Sequence, residues 1–278
     1  IVNKPLGEQE QVIQEVLYEI EKVKDNPFEI DLLKKFELNY DEHKKISEYC
    51  QKIDILYMCT PWDQNSVDVL EEFNVPAYKI SSADLTNLPL ISKVADTGKP
   101  IILSTGMSTV EEIEHTTKFL LDSTAEFALL HCNSTYPAPL HDINLKWIEK
   151  LRNIHSLVGY SGHERGISIS LAAVAMGAKI IERHFTFDRN SEGPDHAASL
   201  EKEELQQLVK GIREIELAMG DGLVRKISQG EMINRENLSK SVVTSKFIKK
   251  GDIITDEHLK ILSPGQGLSG HYYDQILG

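Results

Sequence analysis

GYSGHERGISISLAAVAMGAKIIERHFTFD, residues 159–188, reads as strand, helix, strand. LVGYS (157–161) is short, apolar and ends on a hydroxyl. RGISISLAAVAMGA (165–178) has helical apolar spacing, with Gly177 as its stop signal. KIIERHF (179–185) is a second, β-branched run. Strands joined by such a helix run parallel and bring their C-terminal ends side by side, the edge where α/β proteins bind ligands. His163 follows the first strand and His184 closes the second, so two imidazoles share that edge. A pair so placed suits one divalent metal; either histidine alone would be an ordinary polar strand-end residue.

The same rhythm extends outward on both sides. Apolar strands begin near 54 (DILYMCT), 77 (AYKISS), 100 (PIILSTG), 127 (FALLHCN), 157 and 179. Amphipathic helices fall between them at 65–73, 88–97, 109–122, 145–154 and 165–177, and a long one follows at 201–219, ending at Gly220. Unbroken strand–helix alternation favours a (β/α)8 TIM barrel over a doubly wound sheet. The first strand is not followed by GxGxxG, which weighs the same way. Residues 8–23 and 40–52 read as solvated helices, so the two remaining strands are expected to be missing upstream of this chain. The barrel domain is expected over 1–221, a charged linker over 222–241, and a small β-rich module over 242–278 that stops early.

Composition limits the partners. The 278-residue chain carries a formal charge of −13 and is 41% hydrophobic, with an isoelectric point near 5.3 and a mean hydropathy of −0.27. Such a charge argues against nucleic acid and anionic membranes, and no apolar run approaches a membrane span. An anionic small substrate would need local donors against that field. The three cysteines, Cys50, Cys59 and Cys132, lack metal-type spacing and are expected to be reduced thiols in a cytoplasmic protein. No leader peptide is visible.

The strand ends form a set. They carry Thr60; Lys79, Ser82 and Asp84; Ser104; Ser134 and Tyr136; Ser161 and His163; then His184 and, in the following loop, Asp195. Several hydroxyls and one ammonium would make a phosphate cradle even in an acidic protein. Asp84 and Asp195 could hold a polyol or move protons. The plainer account is that Ser and Thr favour strand ends and turns. Lys79 lies inside an apolar strand between Tyr78 and Ile80, so it must point into the barrel mouth or be costly. A lysine there also fits a Schiff-base aldolase.

CTPW (59–62), PAYKISSAD (76–84), KPIILSTGM (99–107), ALLHCNSTYPAP (128–139), GYSGH (159–163), ERHFTFDR (182–189) and GPD (193–195) carry a resemblance. Together they are similar to the N-acetylneuraminate (sialic acid) synthase family, including bacterial nonulosonic acid synthases and spore-coat polysaccharide relatives. The tail, with IKKGDIITDEHL and PGQG, resembles that family's antifreeze-like (SAF) domain. The resemblance implies condensation of phosphoenolpyruvate with an N-acetylmannosamine-type sugar, with release of phosphate. It implies that His163 and His184 hold Mn²⁺, or Mg²⁺ or Co²⁺, as a Lewis acid on the sugar aldehyde. It assigns Thr60, Lys79, Ser82, Ser104, Ser134 and Ser161 to phosphoenolpyruvate, and Tyr136 and Asp195 to the sugar. Asp84, with Lys79, is the catalytic candidate, for positioning water or shuttling protons. A domain-swapped homodimer is implied, in which one chain's small domain covers its partner's barrel mouth.

The chain departs from the family pattern at its start, where the AEIG-like and KFQ-like strands are absent, and at Ser263, where many members have arginine before Pro-Gly-x-Gly. That second departure leaves the sugar open. Two alternatives stand beside the synthase: another phosphoenolpyruvate–sugar condensing barrel, such as the octulosonate phosphate type, and an inactive ligand-binding paralogue.

Overall fold

A computed structural model describes residues 37–193 and 195–278. The chain divides into two compact units, Ile1–Glu216 and Leu217–Gly278.

The first unit is a parallel α/β layer. Its described elements are α1 (Tyr40–Lys52), α2 (Gln64–Glu72), β1 (Tyr78–Ile80), α3 (Leu88–Ala95), β2 (Ile101–Ser104), α4 (Val110–Asp122), β3 (Phe127–Cys132), α5 (Trp147–Ile154), β4 (Val158–Gly162), α6 (Ser168–Ala175), β5 (Ile181–Arg183) and α7 (Lys202–Met219). Several helices start where side chains satisfy their free N–H groups. Asn39 and Thr109 make capping boxes with Glu42 and Glu112, and Asp63 accepts from the Ser66 amide.

The five strands lie in the order β1-β2-β3-β4-β5, each parallel to the next. A doubly wound sheet would reverse its strand order partway; this one only advances. The sheet is also curled. Lys79 of β1 and Glu182 of β5 approach to 3.7 Å. Four interstrand steps of about 4.8 Å would hold them roughly 19 Å apart in a flat sheet. The described part of the first unit is therefore a curled, parallel half-barrel. The expected parallel strand–helix layer is present, with five strands among the described residues rather than the eight of a complete TIM barrel.

One expected strand does not form. Residues 55–60 run irregularly after α1, with Ile55 58% and Leu56 77% exposed. A strand exists through its ladder, and among the described residues none pairs with this segment: β1 pairs with β2. The expected helix at 8–23 lies outside the described residues.

Register assigns every strand residue to a face. Tyr78, Ile80, Ile101, Leu103, Phe127, Leu129, Val158 and Tyr160 alternate onto one face and join Ile91, Val94, Ile113, Leu120, Ile148, Leu151 and Ala173 of the helices in a single buried core. Lys79, Ser104, Cys132, Ser161 and Glu182 fall on the other face, the barrel interior.

The second unit contains α8 (Gln229–Leu238), β6 (Ser241–Thr244), β7 (Leu259–Leu262) and α9 (Tyr273–Ile276). β6 and β7 pair antiparallel. The stretch 222–241, expected as a linker, carries a helix because Ser228 and Glu231 form a capping box. Ser241 knots the unit: its hydroxyl donates to the Pro264 carbonyl at 2.6 Å and accepts from the Gly267 amide at 2.9 Å. Ser263 accepts from the Lys240 ammonium at 2.8 Å. Among the described residues no helix is long and apolar enough to cross a membrane.

Candidate active site

The C-terminal ends of β1–β5 place polar side chains on the interior face at two neighbouring stations. The first is a hydroxyl cradle. Ser82 follows β1 and accepts from the Gly106 amide at 3.0 Å. Gly106 is there because nothing larger fits: a Cβ would lie 2.3 Å from the Ser134 hydroxyl, 2.9 Å from that of Ser82 and 3.2 Å from the Cys132 sulfur. So Ser82, Ser134 and Cys132, from two strand ends, converge on one backbone turn after β2. Ser104, last residue of β2, is 2% exposed, and its hydroxyl has no partner among the described residues. A buried hydroxyl without a partner costs about 1–3 kcal/mol, which a ligand oxygen would relieve.

Lys79 faces this cradle. Its ammonium donates to the Ile80 carbonyl at 3.0 Å and lies 3.7 Å from Glu182. Burial lowers its pKa below the ordinary lysine value, and the Glu182 carboxylate opposes that shift. Glu182 also accepts from the Ser161 hydroxyl at 2.7 Å. It thereby joins β1, β4 and β5 across the curl.

The second station holds the histidines. Register pairs Ser161 with Glu182 and Gly162 with Arg183, so His163 and His184 project from the next step on the interior side. Their ring centroids are 5.3 Å apart. Tyr136 stacks on His163 at 4.0 Å and meets His184 edge-on at 5.5 Å. The Asn133 carbonyl lies 2.6 Å from His163 Nδ1. A carbonyl only accepts, so Nδ1 carries the proton and Nε2 keeps a free lone pair. Asp195 stands 3.9 Å from His184 Nδ1. Burial pushes both imidazoles below the usual histidine range, against the Asn133 carbonyl at His163 and the Asp195 carboxylate at His184. Burial likewise drives the Tyr136 phenol up to about 12, helped by Cys132, Asp195 and Glu182.

Two adjacent neutral imidazoles, one with its tautomer set by a backbone carbonyl, are a donor set that fits a divalent ion. Among the described residues no cluster of three or more His, Cys, Asp or Glu forms a metal site. A two-histidine set would leave several coordination positions to substrate and water.

The structure thus brings together Lys79, Ser82, Ser104, Ser134, Tyr136, Ser161, His163, His184 and Asp195. Thr60 and Asp84 are placed differently. Thr60 sits half-buried on the irregular segment, where its carbonyl accepts from the Cys59 thiol at 3.9 Å. Asp84, 9% exposed, has its oxygens taken locally by the Ser81 hydroxyl at 3.1 Å and the Asn87 amide at 2.9 Å. Glu182 was missed by sequence reasoning, although it lies two residues before His184, and strand alternation puts such residues on one face. Cys132, two before Ser134, and Gly106 were missed in the same way.

Residues 8–224 match the NeuB family. The N,N'-diacetyllegionaminic acid synthase of Campylobacter jejuni is 43% identical over 265 residues, covering 94% of this chain and 79% of that protein. The human N-acetylneuraminate-9-phosphate synthase is 37% identical over 227 residues, covering 81% of this chain and 63% of that protein. Among solved structures, the N-acetylneuraminic acid (sialic acid) synthetase of Leptospira borgpetersenii, crystallised with citrate, is similar at a TM-score of 0.72. It is 38% identical, and the match covers 77% of this chain and 76% of that one.

Proposed function

The chain belongs to the NeuB family, and from that premise we propose that it condenses phosphoenolpyruvate with an N-acetylmannosamine-type sugar, giving a nonulosonic acid and phosphate. One observation carries this reading: a group of strand-end hydroxyls, including the buried one of Ser104 that has no partner among the described residues, lies beside a pair of neutral imidazoles on the same sheet face. The relatives named above are synthases of sialic and legionaminic acids. Ser82, Ser104, Ser134, Ser161 and Lys79 would bind phosphoenolpyruvate, with Thr60 at the margin. Tyr136 and Asp195 would hold the sugar.

In the proposed reaction C3 of phosphoenolpyruvate bonds to the sugar's aldehyde carbon. Water adds at C2, and phosphate leaves that carbon. The aldehyde oxygen gains a proton and the water gives one up. Glu182, between Lys79 and Ser161, is the carboxylate best placed for proton transfer beside the cradle. Asp84 would have to release Ser81 or Asn87 to take part. The ion held by His163 and His184, Mn²⁺ in this reading, would polarise the aldehyde. Lys79 and the hydroxyls would hold the phosphate against the chain's net negative charge.

The resemblance further supports a cytoplasmic enzyme whose second unit is an antifreeze-like domain, working as a domain-swapped homodimer. Ser263, with Lys240 on its hydroxyl, leaves the sugar's identity to experiment.

The test follows phosphate release from phosphoenolpyruvate with Mn²⁺, with and without N-acetylmannosamine, against a His184→Ala control. Sugar-dependent release that falls at least a thousandfold in the control supports the synthase and its metal pair. Release only with another hexosamine moves the sugar and keeps the reaction. Binding of phosphoenolpyruvate without release by any sugar sinks the enzyme reading in favour of an inactive paralogue.

A further inference from the structure

Directly behind the histidine pair, on the opposite face of the sheet, lies a buried ion pair that the proposed chemistry does not use. Glu164 follows His163 and Arg183 precedes His184. Their side chains are 0% and 3% exposed, and Arg183 Nη1 lies 3.0 Å from Glu164 Oε1. β4, α6 and the loop between them add bonds. The Tyr160 hydroxyl of β4 donates to Glu164 Oε2 at 2.6 Å. Arg183 Nη1 donates to the Gly166 carbonyl at 2.7 Å and to the Ser170 hydroxyl of α6 at 3.0 Å. Arg183 Nη2 donates to the Glu164 carbonyl. Only Arg183 Nε, also buried, has no partner among the described residues.

The packing leaves no slack. A Cβ at Gly162, the last residue of β4 and the register partner of Arg183, would meet Glu164 Oε2 at 2.8 Å and Arg183 Cδ at 3.0 Å. Buried ion pairs contribute little net stability, because desolvation offsets their attraction. Stability alone is therefore a weak reason for one here. What the pair does hold is geometry. It locks the backbone on the C-terminal side of His163 to the residue on the N-terminal side of His184.

We infer that Glu164 and Arg183 are positioning residues whose ion pair sets the spacing of His163 and His184 for metal binding. This rests on reading the two histidines as the metal pair. Neither residue touches the ion or the substrate. A link between the two strand ends keeps the imidazoles converged before the ion arrives, so less ordering remains to be done on binding.

The test measures Mn²⁺ affinity by titration calorimetry, without turnover, on the full chain. The probe variant is Glu164→Met with Arg183→Met, which removes both charges together and keeps comparable volume, so no lone charge is buried. A thermal melt checks folding, and phosphoenolpyruvate binding without metal reports on the hydroxyl cradle. The expected result is a folded protein with Mn²⁺ affinity at least tenfold weaker and phosphoenolpyruvate affinity within twofold of the parent. Unchanged Mn²⁺ affinity would overturn the inference, as would parallel weakening of both ligands, which marks general loosening. If the double variant does not fold, Arg183→Lys carries the same measurement, since it keeps the charge and loses the fork. A parent chain that binds Mn²⁺ no better than His184→Ala would remove the metal reading itself, and this inference with it.

Discussion

The two faces of the β1–β5 sheet are made by alternate residues of the same strands, and they treat polar groups in opposite ways. On the helix side Tyr78, Ile80, Leu103, Leu129 and Tyr160 are buried in a continuous core. The polar groups admitted there are each anchored, Arg183 to Glu164 and His131 Nε2 to the Ile143 carbonyl at 2.6 Å, while Arg183 Nε and His131 Nδ1 have no partner among the described residues. On the interior side Ser104 is buried with its hydroxyl unpartnered among the described residues, and Lys79 reaches a carbonyl of its own strand and a carboxylate 3.7 Å off. One face stabilises the fold; the other keeps bonding capacity in reserve for a ligand. Burial by itself does not separate structural from functional residues here, and neither does a single unpartnered atom. Arg183 and His131 differ from Ser104 in that each side chain is anchored by at least one bond.

Three substitutions would break or sharpen that contrast. The largest effect is expected on the helix side. Leu129→Ala removes a fully buried side chain and should cost about 3 kcal/mol of unfolding free energy, read by urea denaturation. Turnover per folded molecule should stay within twofold. A comparable loss of turnover would mean that the two faces are not separable.

Ser104→Ala should do the reverse. It deletes a buried hydroxyl that has no partner among the described residues, so stability should hold or rise, within about 1 kcal/mol. Affinity for phosphoenolpyruvate should fall about tenfold, measured by calorimetry without sugar. Lost stability with unchanged affinity would place Ser104 with the structural set.

The smallest effect is a pH dependence. Burial lowers the His131 pKa below the ordinary 6.5, and its bond to the Ile143 carbonyl opposes the shift. The unfolded chain therefore takes up a proton near pH 6.5, while the folded chain does so only at lower pH. Stability from this group is complete above 6.5 and declines as the pH falls below it. Between pH 7 and 6 the loss should be less than about 1.4 kcal/mol, and His131→Asn should make the decline shallower. An unchanged slope would show that His131 is not the titrating group.

Much of the site could be read from the chain because strand ends are marked by local signals. Ser104, Ser161, His163 and His184 each close an apolar run, and the run's end is visible without its neighbours. Asp84 and Thr60 were named by the same logic, yet the structure engages Asp84 with Ser81 and Asn87, and gives Thr60's segment no ladder among the described residues. A strand-end position says that a residue is near the mouth, not which way its side chain is held. The charged stretch before β6 failed differently: Ser228 with Glu231 is a capping signal whose weak apolar periodicity hid the helix behind it.

By itself, the sequence determined the alternation of strands and helices from β1 to β5, their parallel order and the motifs that place the chain in its family. All of these depend on short-range spacing, which one chain records fully. Only the tertiary structure decided which polar groups meet. Lys79 and Glu182 touch because the sheet curls, and curl is a property of five strands together. Glu164 and Arg183 pair behind the histidines because the β4–β5 register puts alternate residues on opposite faces. Register and curvature are set by strands packing against one another, so no single strand's spelling contains them.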